Sequence, residues 1–410
     1  MPRALSLALL APLLLLAASV GTVEGAQRRQ QRRRRQVEVG SGPTSEQIWD
    51  TGLMETKLSH VSMLERGREY YDDTTVRRFK GFVLGYVTPW NRGGYMNAVT
   101  FRHKLDAVAP VWFQIKMPEG QAAPTITGTH EINQTWISEL REGGRGPLVV
   151  PRFVIEAEVP QHVAMVQNPR AVLEAVRKVV TENNFDGMVL ETWVAWQSFN
   201  GLSNDMFKKA AMQLVSGLAE AMHSSGGKKF FLAVPPLLPA TEKSPWLARQ
   251  DFLDLAPHVD GFSVMTYDHN TATGRPGANC PLPWLQANIK HMEKGPKRSK
   301  EPPLPEAVRP RVLLGANFYG WDFAPSRGGL AAVTVSDLVP LLQKHQPELR
   351  WDEGVEEHTF QYQDKEGHVH HVWYPTPRSL EARLQVARDA GVGISVWELG
   401  QGLERFFDLL

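Results

Sequence analysis

FDGMVLETW, residues 185–193, runs from a polar turn into Gly187–Glu191, five residues among which only Glu191 is ionisable. A short apolar run without alternating polar residues is the pattern of a strand buried on both faces. Upstream, residues 168–183 place Val172, Leu173, Val176, Val179 and Val180 on one helical face. Downstream, residues 205–224 do the same with Phe207, Met212, Leu214, Leu218 and Met222. A doubly buried strand between two amphipathic helices is the repeating unit of a parallel α/β sheet.

The same rhythm extends in both directions. Candidate strands are Phe82–Thr88, Ala107–Gln114, Leu148–Val154, Gly187–Glu191, Phe230–Val234, Gly261–Thr266, Val312–Ala316 and Gly393–Trp397, and residues 379–389 form a further helix carrying Leu380, Leu384 and Ala387. Eight such units predict a closed (β/α)8 TIM barrel, an α/β fold, over residues 79–410. Two stretches exceed a minimal barrel. Residues 37–78 contain an amphipathic piece around 45–54 and are expected to clasp the barrel's outside. Residues 321–377 contain two alternating runs, 358–363 and 368–374, split by Asp364-Lys365-Glu366-Gly367, which predicts a β-hairpin in a small inserted α+β subdomain after strand 7. The Pro- and Lys-rich residues 295–309 read as a loop.

Residues 1–26 have the form of a signal peptide: Arg3, an apolar run from Ala4 to Val20, then the small residues Gly21, Gly25 and Ala26. An uncut anchor is the alternative, and the run falls slightly short of the about 20 residues a span needs. Residues 27–78 are a basic tail followed by the extension. The tail, QRRQQRRRRQ at 27–36, reads as a solvated segment, with processing after Arg35 or an acidic-glycan patch as sharper alternatives. Residues 1–36 hold seven Lys+Arg and one Asp+Glu, +6, against +1 for the whole chain, so the body carries −5 and shows no nucleic-acid footprint. Cys280 is the single cysteine, so no internal disulfide forms and the core must supply stability; an intermolecular bridge is a secondary possibility. Asn133-Gln134-Thr135 is an N-glycosylation acceptor.

Barrel ligands meet side chains at the C-terminal ends of strands. There stand Tyr86 and Trp90 after strand one, Trp112 on strand two, Glu191 and Trp193 on strand four, Met265, Tyr267 and Asp268 on strand six, Asn317 and Tyr319 on strand seven, and Trp397 and Glu398 on strand eight. Aromatic rings pack on the C–H faces of pyranoses while carboxylates and amides take the hydroxyls, so this set is the candidate carbohydrate site. Filling of the upper barrel core is the plain alternative for any single ring. The histidines lack metal-ligand spacing, and His368, His370 and His371 read as a solvated hairpin strand; no metal or cofactor is expected.

From about residue 80 onward the chain resembles the family 18 glycoside hydrolases, the chitinase fold. GYVTPWN at 85–91, FDGMVLETW at 185–193, DGFSVMTYD at 260–268, GANFYG at 315–320 and GVGISVWELGQGLERFFDLL at 391–410 carry the resemblance in this order. It implies that Tyr86, Trp90, Met265, Tyr267, Asp268, Tyr319 and Trp397 line the sugar site. It also implies hydrolysis in which the substrate's 2-acetamido group replaces an enzyme nucleophile.

The fourth strand departs from the family's DGxDxDxE. Asp186 and Gly187 match; Val189 replaces the deeper aspartate, Glu191 the aspartate that positions the acetamido group, and Trp193 the proton-donating glutamate. Glu191 lies two residues deeper, about 6.5–7 Å along a strand, whereas a general acid acts within about 3 Å. The third strand's Val150-Pro151-Arg152-Phe153 replaces the small-residue SxGG pattern. The expectation is therefore a secreted, chitinase-like lectin without conventional enzyme activity, in which Trp193 is a stacking face. Its ligands would be N-acetylglucosamine-containing oligosaccharides such as chitooligosaccharides or bacterial glycans including lipopolysaccharide, in innate immune sensing. Glu191 is equally a sugar contact or a buried carboxylate satisfied by Tyr267 or backbone. The alternatives are an active glycosidase using a displaced acid, Glu398 or Asp268, and a scaffold for protein interaction. The resemblance further implies a scavenger receptor resembling stabilin-1 as partner, and lysosomal sorting beside secretion.

Overall fold

The computed structural model describes residues 37–121, 123–144, 146–240, 247–294 and 303–410. The leader-like segment, the basic tail to Gln36 and residues 295–302 lie outside them.

Eight parallel strands form the ring: β1 (Val83–Val87), β2 in two segments (Ala107–Pro110 and Phe113–Lys116), β3 in two segments (Leu148–Val149 and Arg152–Ile155), β4 (Gly187–Glu191), β5 (Lys229–Val234), β6 (Gly261–Val264), β7 (Val312–Asn317) and β8 (Gly393–Trp397). β8 pairs with β1 through Ile394 and Val83, β1 with β2 through Tyr86 and Ala109, β2 with β3 through Val108 and Val149 and again through Gln114 and Val154, and β3 with β4 through Arg152 and Val189. The remaining pairs, β4 to β8, complete the closure. The break in β3 falls at Pro151, which has no N–H for the ladder. The expected (β/α)8 architecture is therefore the observed one.

Alternate residues point inward, as strand geometry requires. Leu84, Tyr86, Ala107, Ala109, Val150, Val189, Phe231, Ala233 and Leu313 pack as one buried cluster with Trp397 against it. Outside the ring, the helix Pro169–Glu182 buries Val172, Val176 and Val180, and the helix Asp205–Ser224 buries Leu214, Leu218 and Met222. The latter begins where Asn204 accepts a hydrogen bond from the Phe207 N–H. The helix Pro377–Ala390 buries Leu380, Leu384 and Ala387 and ends at Gly391, whose φ of 64° suits glycine.

After β7 the chain leaves the ring to build a five-stranded antiparallel sheet (Gly329–Val333, Gly320–Ala324, Val369–Tyr374, Glu357–Gln363 and Arg350–Asp352, in spatial order) with the helix Val335–His345. The central hairpin pairs Gln363 with Val369 and His358 with Tyr374. Of the stretch 295–309 expected as a loop, residues 306–309 belong instead to a 3-10 helix, Glu306–Arg311.

The N-terminal extension is tied to the chain's last turn. Its strand Ser41–Thr44 pairs in parallel with Arg68–Tyr71. The amphipathic piece expected around 45–54 contains one 3-10 turn, Ile48–Asp50. Arg405, 0% exposed, donates to Glu69 at 3.0 Å, to Asp408 at 2.9 Å and to the Glu46 carbonyl at 2.8 Å. Cys280 is buried, and burial pushes its thiol up to about 12, which removes the basis for an intermolecular bridge in the folded protein.

Candidate carbohydrate site

The mouth of the ring is floored by Tyr86 and Trp397. Tyr86 points inward from β1, buried, and its hydroxyl donates to Ser263 Oγ on β6 at 2.9 Å. Its ring centroid lies 5.3 Å from that of Trp397, which ends β8 half-buried. Burial pushes the Tyr86 hydroxyl pKa well up, so it acts as a neutral hydrogen-bonding group.

Glu191 and Arg152 meet at the ends of β4 and β3. Arg152 Nε donates to Glu191 Oε2 at 2.7 Å, and the two side chains are 15% and 27% exposed. Glu191 thus points inward as the strand parity predicted, but its partner is a guanidinium and not Tyr267. In the sequence Arg152 stands out only as a departure from a small-residue pattern; a cation directly after a proline on one strand says nothing about a carboxylate on the next.

Asp268 carries the densest polar arrangement. It follows β6 in a left-handed conformation (φ 60°), and its carboxylate Oδ1 accepts from the Tyr319 hydroxyl and, at 3.0 Å, from Trp321 Nε1. Burial raises the Asp268 pKa, while the Tyr319 and Trp321 hydrogen bonds oppose that shift. Beside it, Met265, Tyr267, Val194, Pro235, Pro236 and Trp284 line a largely apolar cavity of about 220 Å³. Trp321 and Trp284 were missed in the sequence, because Trp321 reaches the mouth from the inserted sheet and Trp284 from the helix Leu282–Lys294 rather than from the end of a barrel strand.

Four anticipated residues take other roles. Trp193 is fully buried, 6.2 Å from Trp196, because the chain turns into the helix Trp193–Ser198 straight after β4 and this indole faces inward from it. It offers no stacking face. Trp112 is 1% exposed, donates to the Tyr95 hydroxyl at 2.7 Å and packs on Trp136 and Phe185. Asn317 is buried and donates to the Tyr319 carbonyl at 2.8 Å. Glu398 is 0% exposed, its Oε2 accepting from Asn91 Nδ2 at 2.8 Å and from Gly400 N at 3.2 Å. Burial pushes the Glu398 carboxyl up to about 7. A Cβ on Gly94 would stand 2.0 Å from Glu398 Oε1, so this carboxyl is sealed under the β1–helix turn. Trp90, by contrast, is 74% exposed on the rim.

At the turn of the inserted hairpin, Asp364, Glu366 and His368 place ligand-type atoms within 4.8 Å of one another, a grouping that the spacing of the histidines did not reveal. Arg327 Nη1 already lies 3.2 Å from Asp364 and 3.1 Å from Glu366, so a protein cation holds the position.

The mouth of this parallel eight-stranded barrel, bordered by Tyr86, Tyr267, Tyr319 and Trp397 and holding Arg152, Glu191 and Asp268, has the residue types of a candidate carbohydrate site. The chain belongs to the glycosyl hydrolases family 18, which it matches over residues 161–402. It is 22% identical over 316 residues to the putative sporulation-specific glycosylase YdhD of Bacillus subtilis, covering 71% of this chain and 67% of that protein. It is 26% identical over 199 residues to the cortical fragment-lytic enzyme of the same species, covering 47% of this chain and 43% of that one. The chain thus spans from two thirds to less than half of these relatives. Among solved structures, a chitinase from Chromobacterium violaceum superposes with a TM-score of 0.65 at 19% identity, covering 80% of this chain and 98% of that one. A family 18 chitinase from Cycas revoluta in complex with (GlcNAc)3 gives 0.60 at 13%, covering 80% and 97%. The expectation that this chain is not an enzyme is corrected by these findings: the family is one of hydrolases, and its relatives here are named glycosylases and lytic enzymes.

Proposed function

We propose that the chain is a family 18 glycosidase that binds N-acetylglucosamine-containing oligosaccharides across the barrel mouth and cleaves them with an acid displaced from the usual position. The observation that carries this is Asp268. A leaving-group oxygen needs a carboxylic acid that keeps its proton near working pH. Asp268 borders the cavity, and burial raises its pKa. Glu398, the other displaced candidate, is sealed away from the mouth. Glu191 aligns with the residue that orients the acetamido group, and Arg152 holds it in place through a contact of 2.7 Å from Nε to Oε2. Names among the relatives support a chitin-type or peptidoglycan-type substrate.

The test is release of reducing ends from N-acetylglucosamine oligomers and peptidoglycan fragments. Wild type is expected to release them and D268N to lose at least about a hundredfold in rate, the scale of a lost general acid. Trp397→Ala is expected to weaken oligosaccharide binding by more than about 1 kcal/mol, one aromatic platform. Turnover unaffected by D268N overturns the assignment of the acid. Export by the leader-like residues 1–26, with lysosomal sorting and a role in immune sensing, belongs to the same reading and is checked by fractionation of the full chain. The strand-end motifs resemble those of chitinase domain-containing protein 1. That resemblance alone supports a scavenger receptor of the stabilin-1 type as partner, which a binding assay with the receptor ectodomain decides.

A further inference from the structure

A second cleft lies beside the turn that follows β1. About 550 Å³ in volume, it is bounded by the helices Arg92–Thr100 and Gln134–Leu140, and both Asn133 and Thr135 line it. These two residues belong to the sole Asn-X-Ser/Thr triplet in the sequence. Asn133 is exposed, and its Oδ1 is engaged with the Trp136 N–H at 3.0 Å. The side-chain nitrogen, Nδ2, is the other end of that amide and has no hydrogen-bond partner among the described residues. Facing it across the cleft are the half-buried ring of Tyr95, held edge-on to Trp136, and Met96, 69% exposed. Arg92, Glu131 and Glu139 supply charged donors and acceptors at the rim.

We propose that Asn133 carries an N-linked glycan and that its inner N-acetylglucosamine residues lie in this cleft. The bond that forms joins Asn133 Nδ2 to C1 of the first sugar. The bond that breaks is C1–O to the pyrophosphate of a lipid-pyrophosphate-linked oligosaccharide, the donor of the secretory pathway. The lipid pyrophosphate leaves, and one amide proton passes to the transferase's base. No oxidation state changes. The volume suits a disaccharide-sized ligand. The ring of Tyr95 and the side chains of Met96 and Val99 offer an apolar wall to the C–H face of a pyranose, and the charged rim meets its hydroxyls and acetamido group. Covering Met96 would also remove one of the largest exposed apolar side chains from water. The inference rests on export, and not on the barrel mouth.

The test uses the full chain secreted from an animal cell line, once with its own leader and once with a proven heterologous leader. Glycopeptide mass spectrometry is expected to find Asn133 occupied. A glycoamidase is expected to release the glycan at least tenfold faster from the unfolded than from the folded protein. T135A, which deletes the acceptor triplet but keeps the Asn133–Trp136 hydrogen bond, loses the glycan; T135S keeps it. V99E, which puts a charge on the apolar wall, brings the folded-state release rate up toward the unfolded one. Unmodified Asn133 in the protein carrying the heterologous leader overturns the site. An occupied Asn133 whose glycan is released equally fast from folded and unfolded protein overturns the seating. Failure of the native leader alone counts against export and leaves the second arm to decide the glycan.

Discussion

Arg152 and Glu191 face each other across adjacent strands at the barrel mouth, Nε to Oε2 at 2.7 Å. The pair neutralises a carboxylate that would otherwise stand unpaired near the buried Tyr86 and the half-buried Tyr267. Arg152→Met removes the cation and keeps the carboxylate, so it should destabilise the fold by about 1–3 kcal/mol, the scale of a hydrogen bond to a charged group. Adding Glu191→Gln should recover part of that loss, because the second change deletes the orphaned charge. Urea midpoints of the two variants check this, and equal midpoints for wild type and the single variant would contradict it.

Hydrolysis should have an alkaline limb set by Asp268, because only its protonated form donates. Burial holds its pKa up, and the Tyr319 and Trp321 hydrogen bonds pull against that. Tyr319→Phe deletes one opposing donor, raises the pKa further and should move the limb to higher pH. A pH–rate profile of the two proteins decides; a limb that stays put or moves to lower pH separates Tyr319 from the acid.

Glu398 should make stability fall with pH. Its folded-state value is pushed from the ordinary 4.5 to about 7 by burial, so the folded chain keeps a proton that the unfolded chain releases. The resulting stabilisation is whole below pH 4.5 and is lost as pH rises through about 7, by about 3 kcal/mol in total. Glu398→Gln keeps an acceptor for Asn91 and removes the titration. Denaturant unfolding between pH 4 and 8 should therefore give a flatter curve for the variant, and parallel curves would count against the buried proton.

Arg405 should be among the costliest single positions. It is wholly buried and holds Glu69, Asp408 and the Glu46 carbonyl together, joining the N-terminal extension to the last turn. Arg405→Met leaves the buried Asp408 carboxylate without its cation and is expected to cost about 3–5 kcal/mol in guanidinium unfolding. A loss under 1 kcal/mol would show that the extension is not coupled to the barrel through this residue.

The barrel was legible because its signals are periodic and local. Doubly buried runs such as Gly187–Glu191 and helical stripes such as Val172, Val176 and Val180 follow from spacing alone, and strand parity correctly pointed Glu191 inward. Trp193 was misread for a related reason. Parity holds only while the strand lasts, and β4 ends at Glu191, so the indole rides a helix into the core. Glu398 adjoins Trp397 in sequence yet sits sealed under Gly94, because neighbours on a chain leaving a strand face opposite sides.

The sequence by itself determined the order and number of the strands, the apolar faces of the helices and the family to which the motifs point. Only the tertiary structure decided which carboxyl is exposed, paired or sealed, because burial and partners come from strands far apart in the chain. Arg152 finds Glu191, and Asp268 finds Tyr319 and Trp321, through the closure of the ring and the loops it brings together. Desolvation and hydrogen bonding at those meetings, which no local pattern encodes, set the chemistry of each group.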